Sequence, residues 1–314
     1  MALTVSLALS CQVKTSETVA GGSGSIPYSK IGLNVFPGNR TAGPLVDQMR
    51  DISSIGVRYI RVNFWFDTIY MNAPHSSPNF TRFDEMVDAA DAAGLEVLGI
   101  LGPAPAWLTG SGDWMGVFAQ KYVTPVVSRY KGRVSHWEVW NEPDGSTPPL
   151  DGTPEMYFQL LTAAHNAIKA ADPGAKVVAG ATVNIVSEGG AKVAWMNRLV
   201  DLGLKQQADI LNFHYYSGLD VTLATAARTV VERTGLPVWV TETGIIGQDR
   251  QLDYFNKNVP YIDKALNPER IYWYCYIQGE GEHEETHPAD TYGIVTVYDG
   301  QRYESPLYGL LKSH

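Results

Sequence analysis

The hydrophobic pattern of the chain changes period repeatedly after residue 31. Short runs of aliphatic, β-branched and aromatic residues predict buried strands, and the longer segments between them carry apolar residues at helical spacing. Gly56 and Gly94 end two of the predicted helices, and Thr153-Pro154 predicts the start of another. The predicted strands are 31–36, 57–65, 95–101, 134–142, 175–179, 209–215, 237–242 and 270–276. The predicted helices are 45–55, 81–93, 114–130, a segment from 153, 189–202, 221–234, 249–265 and 306–312.

Eight consecutive strand–helix units predict an α/β fold, a single (β/α)8 TIM barrel. Such barrels commonly contain ~250 residues or more in one domain, which suits a chain of 314 residues. A doubly wound open sheet is the alternative, but no glycine-rich phosphate-binding turn follows the first strand. We therefore expect one barrel domain over residues 28–314, preceded by a leader or linker over residues 1–27.

The first 27 residues differ in composition from the rest. Residues 1–11 are largely apolar but lack a positively charged start, and Leu7-Ala-Leu-Ser-Cys11 loosely resembles a bacterial lipoprotein cleavage site. Residues 12–27 are rich in Ser, Thr and Gly, which predicts a linker. This start favours a secreted or envelope-associated protein, with a disordered leader as the alternative. Cys275 lies in an apolar run and is predicted to be buried, although a disulfide with Cys11 is an alternative.

Charge and hydropathy exclude two classes of partner. The net charge is −9, so nucleic acid and anionic membrane surfaces would be repelled. We find no apolar run of ~18 residues, so we expect no transmembrane helix. The sequence also predicts no cofactor and no bound metal.

Two predicted strands end in glutamate. The fourth runs into Asn141-Glu142-Pro143, and proline stops the strand because it has no N–H to donate. The seventh ends with Glu242. An acidic side chain at the end of a buried strand costs free energy unless it is paired or used in chemistry. Since both strands are parallel, Glu142 and Glu242 are expected at the C-terminal face of the barrel, where active sites lie.

Two facing carboxyl groups can cleave a glycosidic bond. One protonates the leaving oxygen, and in the retaining route the other attacks the anomeric carbon, with the two groups ~5–5.5 Å apart. The acid and the nucleophile must have different surroundings. Arg61, near the end of the second strand, is the candidate for keeping the nucleophile ionised. A purely structural ion pair between Arg61 and Glu138 is the alternative.

At these positions the sequence resembles the clan A glycoside hydrolases. Trp140-Asn141-Glu142-Pro143 is similar to the acid/base motif of the clan, and Thr241-Glu242-Thr243-Gly244 is similar to its nucleophile strand. The resemblance extends over most of residues 30–312. It implies net retention, with Glu142 as acid/base and Glu242 as nucleophile. It also implies that further residues bind the substrate. They are Arg61, Asn141 at the sugar 2-hydroxyl, His214 and Tyr216 of the strand-six His-x-Tyr, and Trp273 at the floor of the cleavage subsite.

The loop after the third strand departs from one family of the clan. Pro103-Ala-Pro-Ala-Trp107 replaces the histidine that family 5 carries there, and this loop resembles family 39 more closely. Trp107 and Trp65 are further candidates for sugar stacking, because flat rings pack on the apolar faces of pyranosides. Filling of the core is the alternative for each tryptophan. A satisfied core histidine is the alternative for His214.

His283-Glu-Glu-Thr-His287 matches the zinc-protease pattern H-E-x-x-H. That pattern works on a helix, where the two histidines share one face. Glycines precede the segment and Pro288 follows it, so an acidic loop is the prediction.

These observations predict a retaining glycoside hydrolase that acts on a β-linked polysaccharide or oligosaccharide. Endo action is favoured, because several aromatic residues near strand ends suggest more than one sugar subsite. An exo-acting β-glycosidase of the same clan and a non-catalytic carbohydrate-binding barrel are the alternatives.

Overall fold

A ring of parallel strands forms the centre of the protein. The computed structural model describes residues 25–69, 77–108, 112–145, 148–186, 190–216, 222–279 and 281–314. The strands of the ring are β1 (Ile31–Val35), β2 (Tyr59–Phe64), β3 (Glu96–Leu101), β4 (His136–Val139), β5 (Lys176–Ala179), β6 (Leu211–His214), β7 (Val238–Thr243) and β8 (Arg270–Trp273). Their order is β5-β4-β3-β2-β1-β8-β7-β6, and a parallel bridge between Val178 and Ile210 connects the two ends. The predicted (β/α)8 barrel is confirmed.

Helices cover the outside of this ring. They are α1 (Leu45–Ser54), α2 (Phe66–Ile69), α3 (Thr81–Ala92), α4 (Trp114–Phe118), α5 (Thr124–Arg129), α6 (Pro154–Ala171), α7 (Ala191–Leu202), α8 (Leu204–Gln207), α9 (Thr222–Thr234), α10 (Gln248–Leu266) and α11 (Pro306–Lys312). A π-helical turn over Ala119–Val123 joins α4 to α5, where the sequence predicts one uninterrupted helix. The start of α6 is as predicted, because the Thr153 hydroxyl accepts the Met156 N–H at 3.3 Å.

Burial on both faces explains why the strands are continuously apolar. Every residue of β7 is buried, as expected where helices cover one face of a parallel sheet and the barrel interior covers the other. A separate apolar cluster fills part of the interior. Its members are Leu98, Val178, Ile210, Trp239 and Tyr272. Each large apolar side chain buried in this way contributes about 1.5–3 kcal/mol to folding.

The structure adds a hairpin that the sequence analysis missed. After β8 the chain forms β9 (Val295–Tyr298) and β10 (Gln301–Glu304), an antiparallel pair joined at Asp299-Gly300. Both turn residues have positive φ, and Asp-Gly is a strong signal for such a turn. All four β10 residues are exposed, so the alternation that would reveal a half-buried strand is missing.

The remaining expectations concern the acidic loop, Cys275, the leader and membrane-spanning helices. The segment 283–287 contains a turn residue and irregular backbone, so its histidines do not share a helix face. Cys275 is buried, as predicted. Residues 1–24, including Cys11, lie outside the described residues, and the domain boundary and disulfide alternative stay predictions. Among the described residues, no helix is both long enough and apolar enough to cross a bilayer.

Candidate active site

Glu142 lies in a sharply bent segment directly after β4. Trp140 and Glu142 both have positive φ, 67° and 48°, a backbone conformation that residues other than glycine rarely adopt. The bend is held from both sides. The Trp140 N–H donates to the Leu101 carbonyl at 2.9 Å, and Asp144 accepts the Val183 N–H at 3.0 Å. Asp144 also pairs with Lys192 at 2.6 Å.

Glu242 occupies the carboxyl-terminal half of β7 and is 6% exposed. Its Oε1 accepts a hydrogen bond from Arg61 Nη1 at 2.6 Å, and its Oε2 accepts one from the Tyr216 hydroxyl at 2.5 Å. Both oxygens are therefore held by side chains from other strands or loops, so the carboxylate has little freedom to rotate.

The structure brings the two glutamates to one site, together with His214 from β6. One carboxylate oxygen of each glutamate and a ring nitrogen of His214 all lie within 4.8 Å of one another. This separation is close to the ~5–5.5 Å of carboxyl pairs in retaining glycosidases and well below the ~6.5–9.5 Å of inverting pairs. The geometry therefore suits the retaining route. One carboxylate can attack the anomeric carbon directly, while the other carboxyl group protonates the leaving oxygen.

Arg61 connects the strands beneath these carboxylates. It forms a fork with Glu138, at 2.7 and 3.0 Å, and its remaining N–H groups donate to Asn34, Glu242 and Asn141 at 2.8, 2.6 and 2.7 Å. Each of the five N–H bonds of the guanidinium thus has an acceptor. Both alternatives stated for Arg61 are present in one side chain, since it contacts the predicted nucleophile and pairs with Glu138.

His214 lies between the two glutamates and is fully buried. Its Nδ1 is 3.0 Å from Glu142 Oε1 and 3.6 Å from Glu242 Oε2. Its Nε2 is 3.1 Å from the Thr241 hydroxyl. The side chain therefore faces the reaction site on one side and a polar layer inside the barrel on the other.

The surroundings of Glu242 lower the pKa of its carboxyl group. Burial by itself raises this pKa, but the electrostatic effect of the neighbouring His214 ring and of the Arg61 guanidinium, with hydrogen bonds from Tyr216 and Arg61, outweighs it. Burial and the nearby Glu242 charge raise the pKa of Tyr216 well above its ordinary value. Tyr216 consequently stays protonated and donates, while Glu242 stays ionised as a nucleophile must.

A cavity of about 220 Å³ lies above this group. It is smaller than the ~300–1,000 Å³ of sites for drug-sized ligands, which suits a single sugar ring. Most of the residues that line this cavity have polar side chains. The lining residues are Asn34, Val35, Phe36, Arg61, Asn63, Ile100, Asn141, Glu142, Glu242 and Tyr274.

Three predicted aromatic residues do not line this cavity as the structure describes it. Trp273 is 1% exposed, and its indole N–H donates to the Tyr292 carbonyl at 3.3 Å. Trp107 packs edge-on against Phe66, with ring centroids 5.7 Å apart. Trp65, also partly buried, lies just after β2. Sugar contacts for Trp65, Trp107 and Trp273 stay predictions, and Tyr274 is the aromatic residue at the strand-eight side of the cavity.

The sequence analysis missed three polar residues of this region. Asn34 accepts from Arg61, and Asn212 and Thr241 form a hydrogen-bonded pair beneath His214. Asn34 was detectable as the single amide in an otherwise apolar strand, and Asn212 as the single amide in a strand that also contains Asp209 and His214, but neither pattern identifies the partners. Outside the site itself, the described residues contain no group of His, Cys, Asp or Glu side chains close enough together to bind a metal ion.

Residues 102–298 match the model of a protein family described as Glycosyl hydrolase catalytic core. The match covers more than half of the chain and includes both glutamates. The chain belongs to this glycosyl hydrolase family.

Solved structures of glycosyl hydrolases share the fold. A family 39 glycoside hydrolase from the gut symbiont Bacteroides cellulosilyticus has a TM-score of 0.70 at 17% identity, over 92% of this chain and 63% of that chain. A family 39 β-xylosidase from Caulobacter crescentus has a TM-score of 0.68 at 20% identity, over 94% and 72%. A β-glucosidase from Thermotoga maritima has a TM-score of 0.63 at 12% identity, over 85% and 84%. The chain spans less than two thirds of the length of the first of these enzymes. The family-model match confirms the predicted glycoside hydrolase, and these structures, all at or below 20% identity, confirm the shared barrel fold.

Proposed function

We propose that the protein is a retaining β-glycoside hydrolase in which Glu242 is the nucleophile and Glu142 the acid/base. The observation that carries this proposal is the convergence of two carboxylates within 4.8 Å, of which Glu242 alone is held by Arg61 and Tyr216. In the first step a Glu242 oxygen bonds to the anomeric carbon, the bond to the leaving oxygen breaks, and Glu142 supplies the proton that this oxygen takes. In the second step Glu142 removes a proton from water, the water oxygen bonds to the anomeric carbon, and Glu242 is released.

Trapping of the sugar on the enzyme tests the nucleophile. A 2-fluoro glycoside with an activated leaving group slows the second step, and digestion followed by mass spectrometry should find the fluorosugar on the peptide that contains Glu242. An adduct on a different residue, or no adduct from an enzyme that turns over the parent glycoside, would show that the assignment is wrong.

The sugar bound at the cleavage subsite is proposed to be uncharged. Arg61 is the only Lys or Arg among the described residues that line the cavity, and all of its N–H bonds are taken by protein acceptors. In the sequence, the segments after residue 69 that the structure does not describe also contain no Lys or Arg. A carboxylate on the sugar would therefore meet Glu142 and Glu242 without a cation to offset the repulsion.

A matched pair of chromogenic substrates tests the charge of the sugar. The 4-nitrophenyl β-glucoside and β-glucuronide differ at C6, and a panel should add the β-xyloside. We expect kcat/KM for the glucuronide to be at least about 100-fold below that of the better neutral substrate, about 3 kcal/mol in transition-state binding. Equal values would overturn this part of the proposal.

Endo action on a polysaccharide is the finer proposal from the sequence, and exo action is a second candidate. The small cavity favours exo action, as do relatives described as a β-xylosidase and a β-glucosidase. Analysis of the first products from a polysaccharide panel distinguishes the two, since oligosaccharides indicate endo action and monosaccharide alone indicates exo action. Secretion or attachment to the cell envelope stays a prediction from residues 1–27.

A further inference from the structure

The hydrogen bonds beneath His214 fix the orientation of one buried amide. Asn212 Nδ2 donates to Glu138 Oε1 at 2.9 Å, and Asn212 Oδ1 accepts the backbone N–H of Thr241 at 3.3 Å. A backbone N–H can only donate, so the group facing it must be the amide oxygen. The contact with Glu138, which is also the partner of Arg61, agrees with this orientation.

The orientation of Asn212 determines where the Thr241 hydroxyl hydrogen points. The Thr241 oxygen is 2.8 Å from Asn212 Oδ1, and a carbonyl oxygen cannot donate, so the single hydroxyl hydrogen lies in this contact. The same Thr241 oxygen is 3.1 Å from His214 Nε2. With its hydrogen already used, the hydroxyl can only accept from His214. Nε2 therefore carries a hydrogen whether the ring is neutral or charged.

The consequence appears at the other ring nitrogen, Nδ1, which is 3.0 Å from Glu142 Oε1. If His214 is neutral, Nδ1 has a lone pair and Glu142 must be protonated to form this hydrogen bond. If Glu142 is ionised, His214 must be an imidazolium. We propose that Thr241 and Asn212 are positioning residues that hold His214 in the Nε2–H form, so that Glu142 and His214 share one proton that the leaving oxygen receives. This inference rests on the proposed role of Glu142 as acid/base.

The neighbouring charges determine what happens when this proton leaves. Glu142 faces His214 from the end of β4, Glu242 and Tyr216 face the site from β7 and the end of β6, and Arg61 lies below on β2. Glu138 is connected to the site through Asn212. When the O–H bond of Glu142 breaks and the leaving oxygen gains the proton, the new carboxylate faces the Nδ1 lone pair. This repulsion favours recovery of a proton from the water that attacks in the second step.

Removal of the Thr241 hydroxyl tests the proposal through the pH profile. In Thr241→Val the neutral ring can turn to the Nδ1–H form and donate to ionised Glu142, so the shared proton is lost at lower pH. The new hydrogen bond to a charged carboxylate stabilises the deprotonated pair, so we expect the alkaline limb of kcat/KM to move down by about one pH unit or more. Thr241→Ser keeps the hydroxyl and should restore the limb.

The control is Thr234→Val, which removes an equally buried hydroxyl that donates to the Val230 carbonyl at 3.0 Å in α9. It should leave the alkaline limb in place. An active Thr241→Val enzyme with an unshifted limb would overturn the proposal, as would an equal shift in the control.

A second measurement needs neither a stable Thr241 variant nor activity. Nitrogen-15 NMR of histidine-labelled protein distinguishes the two neutral tautomers, and the signals of His214 are assigned among the seven histidines by their loss in His214→Gln. Nε2–H or imidazolium signals across the pH range support the proposal. A neutral Nδ1–H form would overturn it, even if the protein hydrolysed no glycoside.

Discussion

The surroundings of Glu142 and Glu242 differ in almost every respect. Glu242 is nearly inaccessible, and each of its oxygens accepts a hydrogen bond from a side chain that is itself held in place. The Glu142 side chain is 28% exposed, and among the described residues its carboxyl group forms a hydrogen bond with His214. A nucleophile must stay ionised and aimed, whereas an acid/base must exchange protons with the leaving group and with water. The proposed roles therefore agree with the number of hydrogen-bond donors around each carboxylate, two side chains for Glu242 and His214 for Glu142.

The largest effect should follow from removing the nucleophile. Glu242→Gln keeps the shape of the side chain but cannot form a glycosyl ester, so kcat/KM should fall about 10⁴-fold or more. The exposed Glu155 of α6 pairs with Arg198 at the surface, and Glu155→Gln is the matched control with an expected change of less than about twofold. Substantial residual activity in Glu242→Gln would mean that the better-held carboxylate is not the nucleophile.

Loss of the acid/base should depend on the leaving group. Glu142→Gln should lower kcat/KM about 10²–10⁴-fold for a natural sugar leaving group, which is the range for general acid catalysis. For formation of the glycosyl enzyme from an activated aryl glycoside, which needs little protonation, the loss should be much smaller. Single-turnover rates with both substrates measure the contrast, and equal losses would contradict the assignment of roles.

Replacement of Arg61 should affect both stability and activity. Arg61→Lys has one ammonium in place of five N–H bonds, so Glu138 loses its fork inside the barrel and Glu242 loses a donor. Breaking a buried ion pair costs about 3–5 kcal/mol, which denaturant unfolding should detect, and kcat should fall at least about tenfold. Arg198→Lys at the exposed pair with Glu155 is the control and should change neither quantity measurably.

The smallest of these effects is expected for Tyr216→Phe. Loss of one hydrogen bond to a charged oxygen costs ~1.5–3 kcal/mol, or about 10–100-fold in kcat/KM. Since the Tyr216 hydroxyl lowers the pKa of Glu242, its removal raises that pKa, and the acid limb of the pH profile should move to higher pH. In the unaltered enzyme that limb should lie below the ordinary range for glutamate. Tyr303→Phe, at an exposed hydroxyl of β10, should leave the limb unchanged.

The sequence alone predicted the barrel and the pair of glutamates because both depend on period and order. Strand runs place Glu142 and Glu242 at equivalent ends of parallel strands, and closure of the ring then makes them neighbours. The same reasoning could not show that Asn212 and Thr241 support His214, because cross-barrel contacts depend on the tilt and stagger of strands. Arg61 illustrates the limit. The sequence offered contact with Glu242 and pairing with Glu138 as alternatives, and the structure shows that Arg61 makes both contacts.

The aromatic residues were harder to place for a different reason. Trp65, Trp107 and Trp273 lie at or near strand ends, but the loop path and the side-chain rotamer decide whether a ring faces the cavity or the helices. Trp273 is buried against Tyr254 and Phe255 of α10, while the adjacent Tyr274 lines the cavity. A shift of one position along the chain exchanges the two faces of a strand, and composition does not determine that shift.

The left-handed backbone at Trp140 and Glu142 places two requirements in conflict. The backbone conformation favours glycine, whereas the proposed chemistry requires a carboxyl group at position 142. Residues other than glycine pay about 1–3 kcal/mol in such conformations, so glycine at either position would relax the local strain. At Glu142, however, glycine would remove the proposed proton donor. Barrels with this bend should therefore fall into two groups as their sequences diverge. Those that keep a glutamate in the strained position go on hydrolysing sugars, and those that acquire a glycine become more robust proteins that at most bind them.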